Sequence, residues 1–149
     1  MIDPQRVREA VAYAGFAVEG FVELPGLPTP MAVWKPFILF SATPIVRVPH
    51  ADADADARLD NEWSRLSARN GTIGADGTVL LSIEGAGRLP WLKVRVGSLP
   101  PQASTVVISG QARDFVALSP DGRASTCVSR EEWETWILAN PEPPEDAQV

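Results

Sequence analysis

The fold is decided by residues 124–140, which read ASTCVSREEWETWILAN. The first five residues favour a short strand, and Ser129 then occupies the position of a helix N-cap, with Glu132 three residues later completing the spacing of a capping box. The apolar residues that follow at helical spacing on one face are Trp133, Trp136 and Ile137. This pattern predicts a C-terminal helix over 129–139 that packs on a sheet formed by the upstream strands.

Two further helices are predicted upstream. Residues 4–14 follow Asp3, which is a suitable N-cap, and they begin with a proline, which is favoured at the first helical position. Residues 57–69 carry a buried stripe of apolar side chains at helical spacing, and Asn70 and Gly71 provide an end signal.

Strand signals occupy most of the remaining chain. They cover residues 16–23, 32–40, 45–48, 78–84, 91–96, 105–109, 114–118 and 124–128. Residues 119–122 fit a type I turn that joins two of these strands into a hairpin, and Pro36 is typical of an edge strand or a bulge. Because the connections are short, antiparallel pairing is favoured. The sequence therefore predicts an α+β fold with a mainly antiparallel sheet or open barrel of about seven to eight short strands.

Length and composition indicate one globular domain over residues 1–140. The chain has 149 residues, of which 45% are hydrophobic and 21% are charged. Residues 141–149 are acidic and rich in proline, which predicts a flexible tail. The net charge of −6 argues against general nucleic-acid binding, because phosphate contacts require clustered lysine and arginine.

The sequence predicts a soluble protein, located in the cytoplasm or in a soluble particle, without membrane association. Residues 1–3 include an acid where a signal peptide would carry basic residues, so no signal peptide is expected. The longest apolar run, residues 37–40, is too short to span a bilayer. Arginine strongly outnumbers lysine, which with abundant alanine, glycine and proline is typical of GC-rich bacterial genes.

The weak candidate for metal binding is the alternating carboxylate run of Asp52, Asp54 and Asp56. Carboxylates on alternate residues can converge on Ca²⁺, but an EF-hand loop would continue with glycine and glutamate where this chain has Ala57 and Trp63. The competing interpretation is an exposed linker that caps the following helix.

His50 and Cys127 are the only histidine and the only cysteine, and they would form a nucleophile–base pair if they met in space. Cys127 lacks a glycine-rich nucleophile turn, so a surface histidine and a core cysteine are the competing interpretation. Motifs for a serine nucleophile, a phosphate-binding loop or a zinc site are lacking in the sequence, and no cofactor is expected.

Arginine and tryptophan residues supply the candidate binding surfaces. Arg58, Arg65 and Arg69 form a stripe on the helix predicted over 57–69. This stripe suits an anion or an acidic partner, and the competing interpretation is an exposed face ion-paired around Glu62.

The second candidate surface pairs tryptophan with lysine on predicted strands: Trp34 with Lys35, and Trp91 with Lys93. An exposed tryptophan on a sheet would indicate a protein-binding surface, because tryptophan is enriched at interface hot spots. The competing interpretation places both tryptophans in the core.

Three functions stay open from the sequence. The favoured hypothesis is a non-catalytic protein-binding module of a bacterial accessory, inhibitory or immunity-type protein, because a small acidic domain without a visible catalytic constellation suits that role. A second is a structural subunit of a larger assembly, such as a phage particle or a secretion machine. A third is a small enzyme with an unrecognised carboxylate or metal site. Under the first two hypotheses the partner is another protein or copies of this chain.

Overall fold

An open antiparallel sheet with helices on both faces organises the chain. The computed structural model describes residues 2–39 and 42–142. The helices within these residues are α1 (Pro4–Tyr13), α2 (Pro30–Phe37) and α3 (Ala55–Arg69). The strands are β1 (Ala17–Val22), β2 (Val46–Pro49), β3 (Thr78–Ile83), β4 (Trp91–Arg95), β5 (Val107–Ile108), β6 (Gln111–Ala112), β7 (Phe115–Leu118), β8 (Ser125–Arg130) and β9 (Glu134–Asn140). The α+β class predicted from the sequence is confirmed.

Seven of the described strands form one sheet in the order β1-β4-β3-β7-β8-β9-β2. Every neighbouring pair is antiparallel, and β1 and β2 are the two open edges, so the sheet does not close into a barrel. The hairpin predicted around residues 119–122 is confirmed, since Phe115 pairs with Val128 and Leu118 pairs with Ser125. Strands β5 and β6 form a separate small hairpin.

The first face of the sheet packs against α1 and α3. Trp63 of α3 is fully buried there, with its ring edge-on to Phe16 and Phe115. Its indole N–H donates to Thr126 Oγ1 at 3.2 Å. A buried tryptophan with a satisfied N–H supplies a large apolar area without an unpaired polar group, so this cluster is the main core.

The second face carries only one of the described helices, α2. Val33 of α2 packs there with side chains from the middle strands, among them Leu80, Val116 and Leu138. Because successive strand residues point to opposite faces, each middle strand contributes to both cores. Burial on both faces explains why the described residues of β3 and β7 are all buried and mostly apolar.

The C-terminal helix predicted over 129–139 is wrong, because this stretch continues β8, turns and returns as β9. The backbone N–H of Glu131 donates to the carbonyl of Glu134 and closes the turn, and Ser129 Oγ donates to Glu131 rather than capping a helix. β-Branched and aromatic residues after the turn favour a strand, and β9 has a pairing partner on each side, β8 and β2. Trp133, predicted to be buried, lies on the turn and is 77% exposed.

The strand predicted over 32–40 is also wrong, since most of this stretch belongs to helix α2. Thr29 caps the helix by accepting from the N–H of Ala32 at 3.3 Å, and Pro30 occupies the first helical turn. Pro36 removes a donor from the last turn, and the helix ends at the next residue. The start signal therefore outweighs the strand propensity of the apolar run.

The remaining boundaries follow the sequence closely. Helix α1 is confirmed, and α3 begins at Ala55, two residues before its predicted start. The tail predicted over 141–149 lies outside the described residues from position 143 onward. Among the helices of the described residues, none combines the length and the apolar character that crossing a bilayer requires.

Candidate functional site

Helix α2 presents large apolar side chains to solvent. Met31 is 54% exposed, and Ile38 and Leu39, which follow the last helical residue, are 65% and 59% exposed. Trp34 lies between them, half-buried, and its indole N–H donates to Ser82 Oγ of β3 at 3.2 Å. We call these four residues the α2 surface. Their spacing places Met31, Trp34 and Ile38 on one side of the helix.

Two cavities flank the α2 surface. The first, of about 380 Å³, lies between Met31 and the turn that joins β3 to β4, where Glu84 and Arg88 line it. The second, of about 360 Å³, lies between α2 and the strands β7, β8 and β9. Trp34 and Ile38 line both cavities, so the two are neighbours separated by these side chains.

The second cavity combines aromatic walls with carboxylates, and we call it the acidic cavity. Its lining includes Trp34, Phe37, Asp114, Cys127, Ser129, Glu131 and Trp136. Asp114 accepts from the backbone N–H of Arg130 at 2.9 Å, and Ser129 Oγ donates to Glu131 at 2.7 Å. Both charged side chains among its described lining residues are acidic. Within the described chain neither of them forms an ion pair.

Burial at the edge of this cavity raises the pKa of Asp114 from 3.8 to about 6. That value is the net of several effects: burial is the largest, the carboxylates of Glu84 and Glu131 also raise the pKa, and the backbone N–H and the charge of Arg130 lower it. Near neutral pH, neighbouring groups in the folded chain therefore offset the negative charge of Asp114 only in part.

We predict that Asp114→Asn increases the free energy of unfolding at neutral pH by about 1–2 kcal/mol. Each pKa unit corresponds to about 1.4 kcal/mol, and screening of this partly exposed group reduces the total. The folded chain holds the Asp114 proton up to a pH of about 6 and the unfolded chain releases it near 3.8, so the contribution of Asp114 to stability falls as pH rises between these values, and the stability of Asp114→Asn relative to wild type should rise. Urea unfolding across that range measures both effects.

The matched control is Asp76→Asn. A backbone hydrogen bond from Thr78 lowers the pKa of Asp76, so this carboxylate adds stability above its unfolded pKa and its replacement acts in the opposite direction. A wild-type profile that is flat in acid and coincides with that of Asp114→Asn would contradict the raised pKa of Asp114.

His50 and Cys127 lie on opposite faces of the sheet and do not form a pair. His50 Nε2 contacts Thr135 Oγ1 at 3.0 Å on the α3 side, whereas Cys127 packs in the cluster under α2. Burial raises the pKa of the Cys127 thiol, and the carboxylates of Asp114 and Glu131 raise it further. A thiol in this environment is a poor nucleophile, because the reactive form is the thiolate.

The tryptophan and lysine candidates lie in different surroundings. Trp34 and Lys35 are on α2 rather than on a strand, and Lys35 is exposed beside the α2 surface. Trp91 is buried, and its indole N–H donates to the carbonyl of Pro28 at 2.9 Å, which agrees with the core interpretation of this residue and not with a binding surface. Lys93 forms an ion pair with Glu19 of β1, with 3.5 Å between Nζ and Oε1.

The arginine stripe on α3 is engaged in side-chain contacts. Arg58 pairs with Asp52 at 3.4 Å rather than with Glu62, and Arg65 pairs with Glu62 at 2.8 Å. Arg69 is half-exposed on the last turn and also has an interaction partner. The stripe lies on the α3 side of the sheet, away from the α2 surface.

The carboxylates at positions 52, 54 and 56 are exposed before and within the first turn of α3. Asp52 pairs with Arg58, and Asp54 occupies the N-cap position without a side-chain capping bond. Across the described part of the chain, histidine, cysteine, aspartate and glutamate form no group of three that could hold a metal ion.

Sequence reasoning did not find Asp114, Glu131 or Trp136 as site residues. The useful signal was the two-residue alternation around the last turn, which places Ser129 and Glu131 on the same face as Cys127. A helix over residues 129–139 would place side chains on one face at every third or fourth position, so that prediction does not bring these residues together.

Comparison of the chain with protein-family models, with curated proteins and with solved structures finds no match.

Proposed function

We propose that the protein is a non-catalytic protein-binding module that holds an apolar, basic segment of a partner on the α2 surface. The observation that carries this proposal is the exposure of Met31, Ile38 and Leu39, each more than half accessible, around a half-buried Trp34. An accessory, inhibitory or immunity-type protein would act in this way, by covering part of its partner.

Covering the α2 surface would release a substantial free energy. A large apolar side chain contributes about 1.5–3 kcal/mol when it passes from full exposure to burial. The side chains of this surface are already partly buried, so covering each of them would contribute part of that amount. Trp34 is fixed by its hydrogen bond to Ser82, so it would lose little conformational freedom on binding. A rigid tryptophan surrounded by apolar side chains has the composition of an interface hot spot.

The charges beside this surface favour a basic partner. On one side of Trp34, Glu84 and Arg88 line the first cavity with opposite charges, and on the other side Asp114 and Glu131 give the acidic cavity its negative charge. The chain as a whole carries a net charge of −6. Complementary charge accelerates association and selects among partners, so a segment with lysine or arginine between apolar residues suits this surface.

The chemistry of the nearby side chains supports binding rather than catalysis. The Cys127 thiol has a raised pKa, which disfavours the reactive thiolate, and the Ser129 hydroxyl donates to the exposed carboxylate of Glu131 rather than to a histidine. His50 lies across the sheet from both residues. A cysteine nucleophile needs a lowered pKa or a base that removes its proton, and the raised pKa of Cys127 opposes this activation.

We predict that peptides selected from a random display library on the wild-type chain will combine apolar residues with lysine or arginine. Their affinity for Met31→Asp should fall at least tenfold, because the substitution replaces an apolar side chain of the α2 surface with a charged group that must lose water on binding. Fluorescence anisotropy with synthetic copies of the selected peptides measures the change.

The control for the peptide experiment is Leu99→Asp, which adds the same charge at a side chain that is 81% exposed and far from α2 in sequence. Equal binding to wild type and Met31→Asp, or selection of acidic peptides, would refute the proposal. If the purified chain instead forms a regular assembly in light scattering and Met31→Asp makes it monomeric, the structural-subunit hypothesis replaces it.

A further inference from the structure

The acidic cavity has the lining of a receptor for one cationic side chain. Trp34 and Phe37 approach it from α2, and Trp136 approaches it from β9. Asp114 and Glu131 contribute carboxylates from the neighbouring ends of β7 and β8. Aromatic faces attract cations through the negative potential above their rings, and the attraction increases when the cation is partly removed from water.

A neighbouring arrangement in the same molecule shows which chemistry these groups accept. The guanidinium of Arg47 lies over the Trp136 ring, 5.2 Å from its centroid, and pairs with Glu134 at 3.3 Å. Arg47 is on β2, so it occupies the β2 side of Trp136, whereas the acidic cavity lies on the β8 side. Each side of this indole thus has a carboxylate nearby, and Arg47 supplies a cation on one side.

We propose that the acidic cavity receives a lysine or arginine side chain of the partner segment, an inference that rests on the proposed function. The aliphatic stem would lie along Trp34 and Phe37, and the charged group would reach Asp114 and Glu131. Long basic side chains commonly bury their stems on apolar surface while the charged group stays with polar partners.

Other occupants fit the cavity less well. An anionic group would be repelled by Asp114 and Glu131, and a purely apolar side chain would remove water from both carboxylates without replacing it. With an anionic or an apolar occupant, the negative charges of Asp114 and Glu131 would stay unpaired away from water, whereas a cationic side chain would offset them. At about 360 Å³ the cavity also falls in the size range of sites for small organic groups.

Small probes test the cavity without requiring the partner. N-acetyl-arginine amide, N-acetyl-lysine amide and the neutral N-acetyl-norleucine amide are titrated against the wild-type chain, with the indole N–H signals of Trp34 and Trp136 followed by NMR. The two cationic probes should shift these signals saturably, and the norleucine probe should bind at least tenfold more weakly. Equal binding of the three probes, or no saturable shift with either cation, would overturn the inference.

The substitutions Asp114→Asn and Glu131→Gln, combined, should reduce the affinity for the cationic probes at least tenfold. The matched control combines Asp54→Asn with Glu9→Gln, which removes two exposed acids elsewhere and should leave probe affinity unchanged. If the control weakens binding as much as the cavity variant, net charge rather than the cavity attracts the probes, and the inference fails.

The experiment separates this inference from the proposed function. Met31 lines the other cavity, so Met31→Asp should weaken binding of the display-selected peptides at least tenfold and leave binding of the amino-acid probes unchanged. Selected peptides that bind the α2 surface equally well after the double cavity substitution would uphold the proposed function and refute the cationic pocket. Probe binding without any selected peptide would uphold the pocket as a cation site and refute the docking of a protein segment.

Discussion

Trp63→Ala is expected to lower the free energy of unfolding by about 3–5 kcal/mol, as for other large aromatic side chains removed from a core. Trp63 is completely buried, and its ring centroid lies 5.7 Å from that of Phe16 and 5.5 Å from that of Phe115. Its removal would leave a cavity between α3 and the sheet that rigid neighbours cannot fill. Urea unfolding followed by circular dichroism measures the loss.

The contrasting variant is Trp133→Ala. Trp133 is 77% exposed on the turn between β8 and β9, so its removal should change stability by no more than about 0.5 kcal/mol. A large loss at Trp133 with a small loss at Trp63 would mean that residues 129–139 form the buried helix that their capping signals predicted. The pair of variants therefore tests the placement of the C-terminal strands.

Residues 129–140 show why local signals alone predict the wrong element. Ser129 and Glu132 have the spacing of a capping box, and Trp133, Trp136 and Ile137 have helical spacing, but neither pattern records that β8 and β2 offer strand edges. β9 pairs with β8 over residues 135–140 and with β2 over residues 134–137. A helix preference of a few tenths of a kcal/mol per residue cannot match this pairing. Long-range pairing decided this stretch.

Helix α2 presents the opposite error. The strand propensity of residues 32–40 conflicts with the helix start signal of Thr29 and Pro30, and the capping bond from the Ala32 N–H to Thr29 shows that the start signal is the stronger of the two. By contrast, α1, α3 and the hairpin around residues 119–122 were predictable, because caps, apolar stripes and turn residues agreed there. Agreement among local signals, rather than the strength of one signal, identified the elements that were predicted well.

The candidate site was less predictable than the fold. Trp34 was selected from the sequence for its chemistry, but its neighbours at the site, Asp114 and Glu131, are about 80 and 97 positions further along the chain. Their approach depends on the strand order β7-β8-β9 and on α2 lying across those strands. A single sequence contains no direct signal for the packing of α2 on these strands, because contacts between elements far apart in the chain depend on how the whole sheet assembles.

Gly77→Ala is expected to lower the free energy of unfolding by about 2–4 kcal/mol, the second large effect. Gly77 precedes β3 with a φ of +88°, a conformation that costs most other residues about 1–2 kcal/mol. An added Cβ would also collide with the carbonyl oxygen of Val96, whose own N–H donates to the Gly77 carbonyl at 2.8 Å. Relief of the collision would separate the backbone at the end of β4 from the turn before β3.

Two other glycines divide this cost into its parts. Gly26 has a φ of +90° with no described atom within 4 Å of an added Cβ, so Gly26→Ala should show the conformational cost alone, about 1–2 kcal/mol. An added Cβ at Gly97 would also have no described atom within 4 Å, and the φ of Gly97 is not positive. The free energy of unfolding of Gly97→Ala should therefore be within about 0.5 kcal/mol of the wild-type value. Thermal and urea unfolding should rank the losses Gly77, Gly26, Gly97. A loss at Gly77 no greater than at Gly26 would mean that the turn before β3 yields to a methyl group, and that the contact between Gly77 and Val96 does not fix the pairing of β3 with β4.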